Sequence, residues 1–207
     1  MNNFEKIREY LRYNSPLLVF LLIIILSGIA FGTIAIRSMD FNSRQDLNNL
    51  FAEFLSGVRV INYENELLFR TAVRFDFIAL LMIFMCGFIP LFLPLNLILV
   101  FLKGFVIGYS SGFLFHEYNF YGIFLSITAI FPQNLLLIPV YILLAMESIK
   151  FSMKIVAHIR KSKQLYFKDF LYYAGYYLYA IPLLLITGIL EVYFVPFILS
   201  LLSTLIF

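Results

Sequence analysis

A chain of 207 residues that is 62% hydrophobic and 13% charged carries more apolar side chain than one small globule can bury, so most of that surface faces lipid. The net charge of +3 is small, and the clustered basic residues sit beside apolar runs, which speaks against nucleic-acid binding and marks one side of a membrane. The single cysteine, Cys86, lies within an apolar run, has no intrachain partner and carries no information on redox compartment.

The expected fold is all-α: one integral membrane domain, 1–207, built as a multi-pass transmembrane helical bundle of about five spans. The spans fall at about 17–36, 75–90, 94–115, 119–146 and 170–190. Before the first, Phe4, Ile7 and Leu11 alternate with Lys6, Arg8 and Arg12 at roughly helical spacing, predicting a short interfacial helix on the cytoplasmic side ahead of Pro16. Residues 17–36 are apolar over about 30 Å at 1.5 Å per residue, one hydrocarbon thickness, and lack the short core and cleavage site of a secretory signal. They read as a retained anchor.

Residues 37–74 form the expected extracytoplasmic loop. From Arg37 to Asp76 there are five Arg, no Lys and six acidic residues, a balance unlike the basic segments elsewhere. Within it Leu47, Leu50, Phe51, Phe54, Leu55 and Val58 recur at the spacing of one helix face, behind Ser43 and Asp46 as a loose cap. That face is a candidate partner-docking surface. It rests either on the protein's own spans and the headgroup layer, the preferred reading, or on an external partner.

Residues 77–102 are uncharged but interrupted by Pro90 and Pro94, with Lys103 directly after. Either one kinked span ends at Lys103 and a short one follows, or a third span runs over 94–115. Twelve residues of helix reach only about 18 Å whereas 94–115 reaches about 33 Å, so the second division is preferred, which puts Lys103 near mid-membrane. The uncharged run 118–146, with Pro132 and Pro139, is too long for one straight span and implies tilt, a kink or a broken helix. A basic cytoplasmic loop is expected over 147–169, carrying Lys150, Lys154, Arg160, Lys161, Lys163 and Lys168. The last clear span has Tyr172, Tyr173, Tyr176, Tyr177 and Tyr179 toward its cytoplasmic end. Glu191 follows, and the sixteen residues after it, with Pro196, form an interfacial tail, a fold-back or a sixth short crossing.

Gly104, Gly108 and Gly112 stand four apart, and Gly28 and Gly32 repeat the spacing on the first span. Small-residue faces of this kind let helices approach closely in lipid, within one chain or between copies in a homo-oligomer. A lysine near the bilayer centre costs about 3 kcal/mol and calls for a polar partner. Gln133, Asn134, Glu147 and Glu191 are the candidates to complete that network around Lys103. Three roles are open to it: a structural polar knot, which is preferred; snorkelling under the other segmentation; or a proton or ion pathway. There is no His-Glu-x-x-His, Gly-x-Ser-x-Gly or phosphate loop, and no paired carboxylates at catalytic spacing in apolar sequence. The expectation is therefore a protein that is not an enzyme and holds no cofactor or metal.

Three segments carry a resemblance: Gly28-Ile-Ala-Phe-Gly32 leading to Met39-Asp-Phe-Asn42, then Phe101-Leu-Lys-Gly-Phe-Val-Ile-Gly108, then Phe131-Pro-Gln-Asn-Leu-Leu-Leu-Ile-Pro139. In this order, with Gln45-Asp46-Leu47 in the outer loop and Ile149-Lys-Phe-Ser152 beyond the fourth span, the chain resembles the stage II sporulation protein M family. The resemblance implies a multi-pass component of the bacterial inner membrane that serves forespore engulfment at the mother-cell septal membrane. It implies as partners the peptidoglycan-degrading stage II sporulation proteins D and P, to which the wall chemistry belongs. A small transporter or channel is the alternative, motivated by Lys103 and the Pro132-Gln133-Asn134 break.

Overall fold

In the computed structural model the described residues are 9–10, 12–59, 65–160 and 167–195, with side chains described for all of these except 54–59 and 65–72. The expected interfacial residues Phe4, Lys6, Ile7, Arg8 and Leu11, the loop lysines Lys161 and Lys163, and the tail with Pro196 lie outside the described residues. Among the described residues the main helices in order are α1 (Ser15–Arg37), α2 (Phe41–Arg59), α3 (Asn65–Phe88), α4 (Leu93–Leu125), α5 (Phe131–Arg160) and α6 (Phe167–Ile189). A 3-10 turn (Pro90–Phe92) joins α3 to α4, and π-helical turns Ser126–Ile130 and Leu190–Phe194 precede α5 and extend α6. No strand occurs among the described residues, so the molecule is an all-α helical bundle.

Among the described residues three helical runs are long and apolar enough to cross a membrane: Ser15–Arg37, Pro90–Arg160 and Phe167–Phe194. The middle run is not one rod. Asn119 has φ 50° and ψ −126°, a positive φ that asparagine tolerates better than most residues, and the chain reverses there. Gly122 is required at this bend, because a Cβ on it would collide with the Leu114 carbonyl. The run therefore passes twice through the bundle. Between α3 and α4, Ile89 is extended (φ −118°, ψ 104°) because Pro90 follows it, and Pro94 sits in the first turn of α4, where its missing N–H costs nothing.

Two boundaries differ from those read in the sequence. α3 begins at Asn65, about three turns ahead of position 75, which places Asp76 inside a helix and not at its mouth. α5 does not stop at Met146 but continues to Arg160, so the first part of the segment assigned to a basic loop is helix. Nothing between Glu147 and Arg160 breaks a helix, and Lys, Arg, Met, Ala and Glu all favour one.

The closest helix contact is α1 against α4, and it is made by glycine. A Cβ on Gly28 or Gly32 would overlap the Phe101 or Phe105 carbonyl oxygen, and one on Gly104 or Gly108 would overlap that of Ile25 or Ile29. A Cβ on Gly112 would lie 3.0 Å from Thr33 Cα, and Thr33 Oγ1 donates across the contact to the Gly108 carbonyl at 3.2 Å. In lipid there is no hydrophobic gain from hiding apolar groups, so such backbone proximity is what holds two spans together. All five predicted glycines are engaged within this one chain.

α5 is the central helix, with Leu137, Val140, Tyr141, Ile142, Leu144, Ala145, Met146 and Ile149 buried among Leu21, Ile25, Leu80, Ile83, Val100, Ala180 and Leu184 of its neighbours. Directional bonds fix the register: Ser148 Oγ donates to the Ile83 carbonyl (2.8 Å), Asn96 Nδ2 to Ala145 (3.2 Å), Tyr173 OH to Phe84 (2.7 Å) and Tyr177 OH to Leu144 (3.0 Å). Phe84, Phe88, Phe151, Tyr173 and Tyr177 stack into one aromatic group where α3, α5 and α6 meet, with Phe151 and Tyr173 parallel at 4.3 Å.

Candidate functional site

Four helices each deliver one polar side chain to the middle of the bundle. Lys103 lies about 15 Å along α4 from Leu93. Its Nζ is 2.8 Å from Asp76 Oδ1 on α3, and both side chains are largely buried, at 15% and 18% exposure. Tyr141 of α5 donates its hydroxyl to the same carboxylate oxygen at 2.7 Å, and its ring lies under the ammonium at 5.1 Å from the centroid. Glu191 stands on the π-helical turn that extends α6, within electrostatic reach of Asp76 and Lys103 but in no hydrogen bond or ion pair with them. A π turn adds a residue to the helix repeat and so rotates the following face. Here it carries Glu191 next to the buried Val192.

Of the network predicted around Lys103, none of the four residues contacts the ammonium, whose partners are Asp76 and the ring of Tyr141; only Glu191 is within electrostatic reach. Asn134 bonds within its own helix, Nδ2 donating to the Ile130 carbonyl at 2.7 Å, while its Oδ1 and Gln133 Oε1 are buried without a hydrogen-bond partner. Asn134 instead lines a cavity of about 520 Å³ between α1, α4 and α5, together with Thr33, Ser111 and Ser126. Glu147 lies a turn and a half beyond Tyr141 along α5 and is held elsewhere. Asp76 stands in the sequence at the edge of the uncharged run 77–102, and it is the early start of α3 that carries it into the bundle. Tyr141 gave no such signal, being one tyrosine among 14.

Glu147 belongs to a second polar group, further along α5. Lys150 Nζ is 2.7 Å from Glu147 Oε1 and 3.2 Å from the hydroxyl of Tyr10, with the ammonium 4.6 Å from the Tyr10 ring centroid. Tyr10 OH donates to Glu147 Oε1. Burial first, and then the Glu147 carboxylate, push the Tyr10 phenol well above its ordinary range, so it remains a donor throughout physiological pH. The segment ahead of α1 is thus strapped to α5, with Asn14 Nδ2 bonding back to the Tyr10 carbonyl at 2.8 Å. Nearby, Lys154 pairs with Asp169 at 2.6 Å and ties α5 to the start of α6.

At the opposite end, α2 lies on the bundle. Leu47 and Phe51 pack on a cluster of Ile36, Phe113, Leu114 and Leu125. Phe51 meets Phe113 edge-on at 6.0 Å and Tyr118 at 5.7 Å, and Tyr118 OH donates to Asn48 Oδ1 at 3.2 Å. Arg44 caps the end of α1 by donating to the Ile36 and Met39 carbonyls (3.1 and 3.3 Å), and its other nitrogen meets His116 Nε2 at 3.1 Å. The expected docking face is therefore divided. Leu47 and Phe51 are taken up by the protein's own spans, Leu50 is exposed at 62%, and the side chains of Phe54, Leu55 and Val58 lie outside the described residues.

Among the described residues no group of three or more His, Cys, Asp or Glu is placed to hold a metal ion. Chemically the central group is an intramembrane ion pair with a hydroxyl donor, an arrangement suited to locking three helices or to holding charge within the bilayer.

The family model described as Stage II sporulation protein M matches residues 21–196, most of the chain. No curated protein and no solved structure matches it.

Proposed function

The chain belongs to the stage II sporulation protein M family, and on that premise we propose that it is a non-catalytic membrane component of the forespore-engulfment machinery, holding peptidoglycan-degrading partners at the mother-cell septal membrane. Family membership marks it as a sporulation-related membrane protein, and its apolar helices agree with that. The observation that carries the finer reading is the match over residues 21–196, which takes in the Lys103 and Pro132-Gln133-Asn134 segments together with all of α2. In this reading the N-terminus and the basic end of α5 are cytoplasmic, where Arg12, Lys150, Lys154, Arg160 and Lys168 follow the positive-inside bias. α2 then faces the wall, and Leu50 with the rest of its outer surface is presented to the stage II sporulation proteins D and P. The glycine faces are spent on the α1–α4 contact, so a homo-oligomer would use other surfaces.

Deletion of the gene in its sporulating host, followed by membrane-dye microscopy with a complemented control, tests the reading. Cells should divide asymmetrically and then fail to move the mother-cell membrane around the forespore. Normal engulfment in the deletion strain would overturn it. Loss of co-purification with both wall-degrading partners on replacing Leu50 with Glu, at unchanged protein level, is the expected finer result.

The ion pair inside the bundle favours a second reading, a small transporter or channel. Under it, Lys103→Met abolishes function while the protein still accumulates. Full complementation by that variant would exclude a charge-dependent pathway.

A further inference from the structure

α2 is joined to the bundle by an apolar seat and by a polar junction, and only the second depends on a proton. Leu47 and Phe51 pack on the cluster of Ile36, Phe113, Leu114 and Leu125 whatever the pH. The junction is made by Arg44. Its Nη2 donates to the Ile36 and Met39 carbonyls at the end of α1, while Nη1 stands 3.1 Å from Nε2 of His116, three residues before the bend at Asn119. A guanidinium has donors only and stays charged, so a hydrogen bond at this distance requires Nε2 to accept it and therefore to carry no proton. The imidazole is then neutral with its proton on Nδ1, which faces Glu117 Oε1 at 3.4 Å. Arg44 from α2 and Glu117 from its own helix are the charged groups that face His116. Arg37, Asp40 and Asp46, the other charged residues of the stretch 37–48, are exposed, and the cleft beside the junction is completed by Phe41, Gln45 and Asn48.

We propose that Arg44 and His116 form a pH-sensitive latch, which holds α2 against the ends of α1 and α4 while the imidazole is neutral and loosens it on protonation. The proton comes from water and forms an N–H bond at Nε2, and nothing is oxidised or reduced. That N–H then points at the Arg44 guanidinium, so a hydrogen bond is replaced by two facing cations. Glu117 accepts from Nδ1 in both states and does not restore the lost contact. Histidine changes its charge between about pH 5 and 8. Docking is therefore complete above that range and weakens as pH falls through it. The apolar seat and the hydrogen bond from Tyr118 to Asn48 remain, so the latch sets how often α2 opens and does not detach it. Acidification on the side that carries α2 thus changes how the outer surface of this helix is presented, whichever partner meets it.

The test is amide hydrogen exchange on the full-length protein in lipid bilayers at about pH 7.5 and about pH 5.5, on either side of the histidine midpoint, with every amide referred to its intrinsic exchange rate at that pH. Protection over residues 45–53 of α2 should fall about ten- to hundredfold at the lower pH, the worth of one hydrogen bond from a charged donor, while protection over 137–149 of α5 stays the same. His116→Gln, whose amide oxygen accepts from Arg44 at both pH values, should keep α2 at the high-pH level throughout. His116→Lys, a cation at both, should keep it at the low-pH level throughout. Unchanged protection of α5 in each variant reports that the bundle is intact, and the two variants err in opposite directions, so a general loss of folding cannot imitate the pattern. Equal α2 protection in the wild type at both pH values, or a pH-dependent loss that persists in His116→Gln, would overturn the proposal, the second by placing the titrating group elsewhere.

Discussion

Gly108 and Gly175 are both interior helix glycines, and the structure predicts opposite consequences for the same substitution. A Cβ on Gly108 would overlap the Ile29 carbonyl oxygen and crowd Ile29 Cα at 2.7 Å, and these are backbone atoms that cannot rotate away. α1 and α4 must then separate, at an overpacking cost of about 1–3 kcal/mol. Separation also stretches the Thr33 to Gly108 bond (3.2 Å), worth about 0.5–1.5 kcal/mol. Alanine returns about 1 kcal/mol of helix propensity, so Gly108→Ala should be destabilising by about 2 kcal/mol. A Cβ on Gly175 meets nothing within 4 Å, so Gly175→Ala should be neutral or stabilising by up to about 1 kcal/mol. Cys86 is the only cysteine and is buried, so its maleimide labelling rate in bilayers reports opening of the bundle with no engineered probe. Two kcal/mol corresponds to roughly 30-fold faster labelling in Gly108→Ala, against an unchanged or slower rate in Gly175→Ala. Equal rates in the two variants would refute the intramolecular glycine contact as the determinant of α1–α4 packing.

The Lys103–Asp76 pair should behave as a unit: Lys103→Met or Asp76→Asn alone should each cost about 3–5 kcal/mol, with the double variant closer to wild type than their sum, as read by a double-mutant cycle in detergent unfolding. Tyr141→Phe removes only the hydroxyl donated to Asp76 and should cost about 1.5–3 kcal/mol in the same assay, with helix content by circular dichroism unchanged. Phe51→Ala should release α2 from Phe113 and Tyr118, costing up to about 3 kcal/mol, and appear as faster protease cleavage between α2 and α3 while the bundle's Cys86 stays protected. Faster Cys86 labelling in that variant would mean that α2 is part of the core and not a separable outer layer.

Hydropathy and charge placement were sufficient for the class of protein and for the approximate position of its helices, because a span must be about twenty apolar residues long whatever it packs against. Pro90 and Pro94 marked the break between α3 and α4, since proline acts locally. The glycine spacing was equally visible, and so was Lys103 as a residue needing a partner. The identity of that partner was not. Asp76 and Lys103 are 27 positions apart and Asp76 and Tyr141 are 65 apart, and which acid meets a buried lysine depends on the rotation of each helix about its axis. A π turn changes that rotation without any large change in composition, and the described helices carry two, at Ser126–Ile130 ahead of Gln133 and Asn134 and at Leu190–Phe194 around Glu191. The same holds for α2: periodicity made it amphipathic, but only its seat on Phe113 and Tyr118 decided that Leu47 and Phe51 face inward and Leu50 outward. The sequence by itself thus determined the membrane setting, the helices and the residues too costly to leave unpaired. Tertiary structure decided the pairing, because in lipid neighbouring helices are selected by close backbone approach and by a few polar contacts distant along the chain.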